Sequence, residues 1–274
     1  METVLVTGGN GYIGYNTLSY FKKKNYNVLS LDNLSRGNLW KSKDNSFIKG
    51  DIDDKKLVSK IISKYKVKTI VHFAAYAYVG ESMISPSMYY HNNVIKSLIF
   101  LETVAELGIK NFIFSSSCAV YGNPISIPIS ESHPTKPINP YGETKLIIEN
   151  AIYWYSKKYN FKYVILRYFN ASGSSQISKF GEYHNPETHL IPLLIKSILV
   201  KDYCFKIFGS NYKTKDGSAV RDFIHIDDLS KAHFLAYKYL STGGKNQVLN
   251  LGNGIGYSIF EVIVSSAITI CHQS

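Results

Sequence analysis

Short, continuous apolar runs alternate with longer amphipathic stretches through the first part of the chain. Strands are predicted at Thr3–Thr7, Asn27–Leu31, Ser46–Lys49, Thr69–Phe73, Asn111–Ser115 and Tyr163–Tyr168. They are rich in Val, Ile and Phe and do not alternate with polar residues, the pattern of strands buried on both faces. Helices are predicted at Tyr12–Lys24, Lys55–Tyr65, Pro86–Leu107 and Tyr141–Tyr159. This alternation implies parallel strands joined by right-handed crossovers, with helices covering both faces of one sheet. The regularity ends near Asn170. Beyond it come a loop-rich stretch, a helix at Leu190–Val200, a short apolar run at Phe205–Phe208, a helix near Asp227–Leu240 and a strand near Gln247–Leu251. That part reads as a smaller cap segment that partly returns to the main sheet.

Composition narrows the classes. At 45% hydrophobic, 274 residues can bury a sizeable core, which excludes a disordered chain. The richest apolar stretch, Leu190–Val200, carries Lys196 and falls short of the ~20 residues a membrane helix needs. The N-terminal METVLVTGG runs into a strand without a basic, cleavable leader. Cys118, Cys204 and Cys271 show no CxxC or metal spacing, so buried, reduced thiols and no metal are expected. The expected location is cytoplasmic. The net charge of +11 raises the question of nucleic acid. All but three of the 31 basic residues are lysine, however, and they are scattered. Arginine, the bidentate reader of bases and phosphates, occurs only as Arg36, Arg167 and Arg221. A solvated basic surface is expected, with no nucleic-acid partner and no membrane.

Chemistry enters at the first strand–helix junction. Gly8, Gly11 and Gly14 form G-x-x-G-x-x-G there, within Thr7-Gly8-Gly9-Asn10-Gly11-Tyr12-Ile13-Gly14. Glycines permit a tight turn and a close backbone approach to a pyrophosphate, and the helix N-terminus supplies free N–H groups. Asp32 ends the second strand, where a carboxylate accepts from ribose hydroxyls and repels a 2′-phosphate, favouring NAD over NADP. Arg36 nearby is the contrary sign. Asp51, after the third strand, fits either an adenine contact or a helix N-cap.

A second constellation follows. The fifth strand ends in Ser115-Ser116-Ser117, and Tyr141 and Lys145 lie four apart on one helical face. A tyrosine is a poor base at neutral pH; a nearby ammonium and an oxidised nicotinamide both stabilise phenolate and are expected to lower its pKa towards the working pH. Ser117 can hold a substrate hydroxyl while Tyr141 removes its proton. In a chain with 22 tyrosines a bare YxxxK spacing means little; its place after a serine-rich strand tip gives it weight.

TGGNGYIG, FSSSCAVYG (Phe114–Gly122), PYGETK (Pro140–Lys145), RYFNASG (Arg167–Gly173) and VRDFIHIDDL (Val220–Leu229) resemble extended short-chain dehydrogenase/reductases. With HFAAYAYVGES (His72–Ser82) and IFGSNYKTKDGSAVRDFIH (Ile207–His225), the chain resembles the UDP-glucose 4-epimerase family up to about Gly256. The resemblance implies an α/β fold: a Rossmann-like doubly wound parallel sheet with a smaller, incomplete C-terminal substrate-binding domain. Residues 1–175 and 222–245 would form the NAD-binding domain, and 176–221 and 246–274 the substrate domain. It implies that NAD takes hydride from sugar C4 and returns it to the opposite face, interconverting UDP-galactose and UDP-glucose. Tyr141, Lys145 and Ser117 would be catalytic. Gly8, Gly11, Tyr12, Ile13, Gly14, Asp32, Asn33, Asp51, Ile52, Phe73, Ala74, Ala75, Asn92, Ser115, Tyr141, Lys145 and Tyr168 would line NAD. Ser117, Asn170, His189, Leu190, Phe208 and Arg221 would hold the UDP-sugar, with Arg221 on the diphosphate. A homodimer through Pro86–Leu107 and Tyr141–Tyr159 is implied as well.

Three departures stand out. Ala119 and Ala77 replace side chains that some members carry, and the chain stops at Ser274, where members continue with a second diphosphate arginine. The expectation is therefore an epimerase with a complete NAD site and weak or absent activity. The alternatives are a non-catalytic NAD-binding or RNA-binding protein on this fold, or an epimerase of an N-acetylated or uronic UDP-sugar.

Overall fold

The computed structural model describes residues 2–38 and 46–271. The chain runs β1 (Thr3–Thr7), α1 (Tyr12–Lys23), β2 (Asn27–Asp32), β3 (Phe47–Lys49), α2 (Lys55–Tyr65), β4 (Val67–His72), α3 (Val79–Ile84), α4 (Pro86–Tyr89) and α5 (Lys96–Glu106). It continues through β5 (Asn111–Ser117), α6 (Pro140–Tyr159), β6 (Lys162–Tyr168), β7 (Asn170–Ser172), α7 (Leu190–Leu199), β8 (Val220–His225) and α8 (Ile226–Ser241). It closes with β9 (Gln247–Leu251), β10 (Gly256–Ser258) and α9 (Ile259–Cys271). Seven strands form a parallel sheet in the order β3-β2-β1-β4-β5-β6-β9. The order reverses between β1 and β4, which opens a crevice at the carboxyl ends of those strands.

Strand alternation divides the core. On β5, Phe112 and Phe114 face Phe100 and Leu101 of α5 and Ile148 and Ile152 of α6. Ile113 faces the other layer, with Val4 and Val6 of β1, Leu18 and Phe21 of α1 and Leu229 and Tyr237 of α8. A strand covered on both sides buries every side chain, which is why these runs are apolar without a break. Local chemistry sets the helix starts. Asp54 accepts the Leu57 N–H at the head of α2. Asn139 accepts the Gly142 N–H ahead of Pro140 in α6, and the His225 ring accepts from Asp227 N–H in α8.

A second sheet, β10-β8-β7, lies beyond β6, with β10 antiparallel and β7 parallel to β8. β9, on the substrate side of the expected boundaries, is the seventh strand of the main sheet. Residues 272–274 lie outside the described residues. Three expectations change. Pro86–Leu107 is not one helix: a π-helical segment, Tyr90–Ile95, separates α4 from α5. Phe205–Phe208 joins no sheet, and Phe208 is exposed. Cys204 is exposed rather than buried. No helix among the described residues is long and apolar enough to cross a membrane.

Candidate active site

The glycine loop is built by close approach. Gly8 has φ +68°, and a Cβ there would stand 2.8 Å from the amide nitrogen of Ala74, just past β4. A Cβ on Gly14 would stand 2.1 Å from the Gly8 carbonyl oxygen. No larger residue fits either position without opening the turn. α1 then starts at Gly11, which has no side chain to cap it, and its first turn holds no acid. The leading N–H groups of Tyr12, Ile13 and Gly14 remain for an anion, at the positive end of the helix. This fits a dinucleotide pyrophosphate.

The neighbouring strand tips complete that half. Asp32 accepts the N–H groups of Asn10 (2.9 Å) and Leu34 (2.8 Å), which fix its carboxylate at the tip of β2. Asn33 donates to Asp51 at 2.9 Å. Asp51 also accepts Lys96 at 2.5 Å and its neighbour Ile52's N–H. Burial would raise the Asp51 carboxyl, but its hydrogen bonds from Lys96 and Asn33 hold it below its ordinary value. Asp54, not Asp51, caps α2, so the N-cap alternative for Asp51 falls. Arg36, the sign for NADP, pairs with Glu81 at 2.5 Å and stacks on Tyr76 and Tyr78. Phe73, Ala74 and Ala75 follow β4 beside the glycine loop, and the Phe73 N–H bonds to the Thr7 carbonyl. Asn92 lies in the π-helical segment and donates to Asn93.

The other half gathers at the tip of β5. Lys145 is buried and donates to the Ser115 carbonyl at 2.7 Å. The Ser115 hydroxyl meets the Tyr168 hydroxyl at 2.5 Å. Ser117 lies near enough to the Tyr141 hydroxyl to pull its pKa down, and accepts the Ala119 N–H. The structure differs from the sequence on one electrostatic point. Tyr141 is not lowered: burial, with Tyr168 beside it, raises its pKa, and Ser117 offsets this only partly. Burial also brings Lys145 down to about 7, and it donates to the Ser115 carbonyl. Its nitrogen stands 5.8 Å from the centre of the Tyr141 ring.

The residues expected to hold substrate are spread over the second sheet and its loops. Asn170 opens β7, half-buried. His189 and Leu190 stand at the start of α7. Arg221 on β8 is exposed, and its charge reaches Cys118, the neighbour of Ser117. Phe208 stands free on the surface rather than packed into a pocket wall.

Several residues escaped the sequence reading. Glu149 lies one further turn along α6 from Lys145 and takes hydrogen bonds from Ser116 and Arg167. Arg167 in turn reaches Tyr121, which bonds to Asn250 on β9. Asn93, buried in the π-helical segment, bonds both backbone groups of Tyr76 and the Thr144 hydroxyl. It ties the segment after β4 to the helix that carries Tyr141. The i, i+4, i+8 spacing of Tyr141, Lys145 and Glu149 was the available signal for Glu149. Nothing local marked Asn93.

Residues 4–252 match the family described as the NAD dependent epimerase/dehydratase family. The chain is 46% identical over 270 residues to a UDP-glucose 4-epimerase of Halalkalibacterium halodurans, covering 98% of this chain and 79% of that one. The crystal structure of UDP-glucose 4-epimerase from Brucella ovis in complex with NAD superposes with TM-score 0.91 at 42% identity, covering 97% of this chain and 82% of that one. The Bifidobacterium longum UDP-glucose 4-epimerase in complex with NAD+ and UDP superposes with TM-score 0.88 at 34% identity, covering 96% and 82%. These likenesses run through nearly the whole chain, and nothing in them supports the expectation of weak or absent activity. On the match of residues 4–252, the parallel sheet and the glycine loop at its switch point, the chain belongs to the NAD dependent epimerase/dehydratase family.

Proposed function

We propose that the chain is a UDP-glucose 4-epimerase, an NAD-dependent isomerase that interconverts UDP-galactose and UDP-glucose. The observation that carries this reading is the Ser117–Tyr141 hydroxyl pair at the tip of β5, with Lys145 anchored on the Ser115 carbonyl beside it. It lies at the carboxyl edge of the same sheet whose first turn forms the anion-binding glycine loop. NAD, when bound, supplies the hydride acceptor and a positive nicotinamide near the tyrosine. The chain's own residues do the rest. Tyr141 takes the proton of the sugar O4 hydroxyl and returns it, Ser117 orients that hydroxyl, and Lys145 holds the nicotinamide ribose. Burial keeps the Tyr141 phenol protonated in the free chain, so a neighbouring positive charge is what frees it to act as base. Gly8, Gly11 and the head of α1 hold the pyrophosphate, and Asp32 holds the adenosine ribose. Asn170, Leu190 and Arg221 hold the UDP portion, with the Arg221 fork on phosphate oxygens; Phe208, free on the surface, is left out of that set.

A homodimer and a cytoplasmic location belong to the same reading. Ile95, Tyr153 and Trp154 on the helices expected to pair are exposed apolar side chains that a second copy would cover. The test is turnover of UDP-galactose to UDP-glucose by the purified chain with NAD. Tyr141→Phe is expected to lose about 10²–10⁴-fold in kcat, the usual worth of positioned acid–base catalysis, with NAD binding kept. Wild-type rates in Tyr141→Phe, or no turnover by an NAD-loaded wild type, overturn the reading.

A further inference from the structure

The loop leading into α7 gathers two carboxylates and two imidazoles. Glu182, His184, Glu187 and His189 each offer one donor atom, all within 4.8 Å of one another. His184 Nδ1 lies 3.6 Å from Glu182 Oε1 and 3.5 Å from Glu187 Oε2. His189 Nδ1 lies 3.2 Å from Glu182 Oε1 and 2.9 Å from Glu187 Oε1. We propose that these four side chains form a binding site for one divalent transition ion of the zinc class.

The distances are those of co-ligands. Donors about 2.0–2.1 Å from a tetrahedral ion stand roughly 3.3 Å from each other. The two separations from Glu182 Oε1, 3.6 and 3.2 Å, fall on either side of that edge, and His184 Nδ1 to Glu187 Oε2, 3.5 Å, is too long for a good hydrogen bond; His189 Nδ1 meets the other oxygen, Oε1, in a hydrogen bond of 2.9 Å. His184 Nδ1 is buried and makes no hydrogen bond, although two carboxylates face it. An orphaned buried nitrogen of this kind is explained by an ion between the three groups.

The supporting groups are already in place. Glu187 accepts the N–H groups of His184, Thr188 and His189, which fix its orientation and leave Oε2 a free lone pair. Tyr78 stacks edge-on to both imidazoles, and Tyr12 to His184. Two imidazoles with two carboxylates suit zinc, cobalt or nickel rather than magnesium or calcium, which take oxygen ligands. Four protein ligands close the coordination sphere, so the ion is structural rather than catalytic. It pins residues 182–189 against Tyr12 of α1 and against Tyr78. Leu190, next in the chain, then starts α7 from a fixed point. That positioning role rests on the function proposed above; the binding of the ion does not.

The test uses the full chain without a tag, stripped with EDTA and desalted. Zinc titration by calorimetry is expected to give one ion per chain with submicromolar affinity, and magnesium none. The cobalt-loaded chain is expected to show the intense visible bands of tetrahedral nitrogen and oxygen ligation, without the near-ultraviolet thiolate band that Cys118 or Cys204 would give. His184→Ala combined with Glu182→Gln is expected to weaken zinc at least about 100-fold, while Cys204→Ser leaves it unchanged. Absence of stoichiometric zinc and of the cobalt spectrum in the wild type would make the cluster a metal-free ion-pair knot and overturn the proposal. So would zinc binding that survives the double variant, or that disappears in Cys204→Ser. The wild-type cobalt spectrum decides the matter even if the double variant fails to fold.

Discussion

Glu149 and Arg167 make the sharpest test of how the active-site floor is held. Glu149 is 5% exposed and Arg167 7%. Arg167 Nε and Nη2 donate to Glu149 at 3.0 and 2.5 Å, and Ser116 donates to the same carboxylate at 2.5 Å. Glu149→Gln keeps the shape and removes the charge, leaving a buried guanidinium without its counter-ion. Breaking such a pair costs about 3–5 kcal/mol. At roughly 2–4 °C per kcal/mol for a chain near this size, melting should fall by about 6–20 °C. Replacing both partners, Glu149→Leu with Arg167→Met, removes the uncompensated charge along with the pair, and should recover at least half of that loss. The assay is differential scanning calorimetry of wild type, Glu149→Gln, the single variants Glu149→Leu and Arg167→Met, and the double variant, at one fixed NAD concentration because bound ligand raises melting. The expected signature is a double variant more stable than either single one. If Glu149→Gln melts within about 2 °C of wild type, or if the losses simply add, the ion pair does not hold the floor.

Two further outcomes follow from the geometry. Gly14→Ala would place a methyl 2.1 Å from the Gly8 carbonyl oxygen, and overpacking of this kind costs about 1–3 kcal/mol. Calorimetry should show NAD bound about 10–100-fold more weakly, at 1.4 kcal/mol per tenfold, and an unchanged Kd would refute the cradle. Burial holds Lys145 near 7 in the folded, NAD-free chain, while an unfolded lysine titrates near ~10.4. Below about pH 7 both states bind the proton and the folded chain carries the full cost of a buried ammonium; between about pH 7 and 10 only the unfolded chain still binds it, so this contribution to stability rises with pH. Lys145→Met should therefore melt above wild type by a margin that shrinks as pH rises through that window, and a constant margin would contradict the buried-amine reading.

What was legible in the sequence was what is local. The glycine spacing, the apolar strands and the Tyr141–Lys145 pair depend on neighbours within a turn, and the structure places them where periodicity expects. Residues 86–107 show the limit. The apolar spacing there is close enough to helical that the π-helical segment at Tyr90–Ile95 leaves no separate mark, yet that segment is where Asn93 meets Tyr76 and Thr144. That the chain without NAD holds the Tyr141 phenol above its ordinary value was not legible for a related reason: only the tertiary structure shows how deeply Tyr141 and Lys145 are buried. Glu182, His184, Glu187 and His189 were visible as E-x-H-x-x-E-x-H, but the backbone that folds them onto one point has no periodic signature.

The three serines that end β5 show how one strand can serve the core and the chemistry at once. Phe112 and Phe114 point towards α6, and Ile113 points towards α8. The same alternation continues past the apolar run. Ser116 falls on the α6 side and meets Glu149, while Ser115 falls on the far side and meets Tyr168. Ser117, on the same side as Ser115, can meet α6 only where the helix begins, and Tyr141 stands in its first turn. Lys145, a turn later, reaches the strand through the Ser115 backbone carbonyl. Helix and strand thus meet residue by residue along one edge: ion pair at depth, amine on the backbone above it, hydroxyl pair at the rim. A shift of one residue in β5 would send Ser117 to the α6 side and Ser116 away from Glu149. The buried Glu149–Arg167 pair therefore fixes the strand position on which the Ser117–Tyr141 contact depends, and damage to it should reach turnover as well as melting.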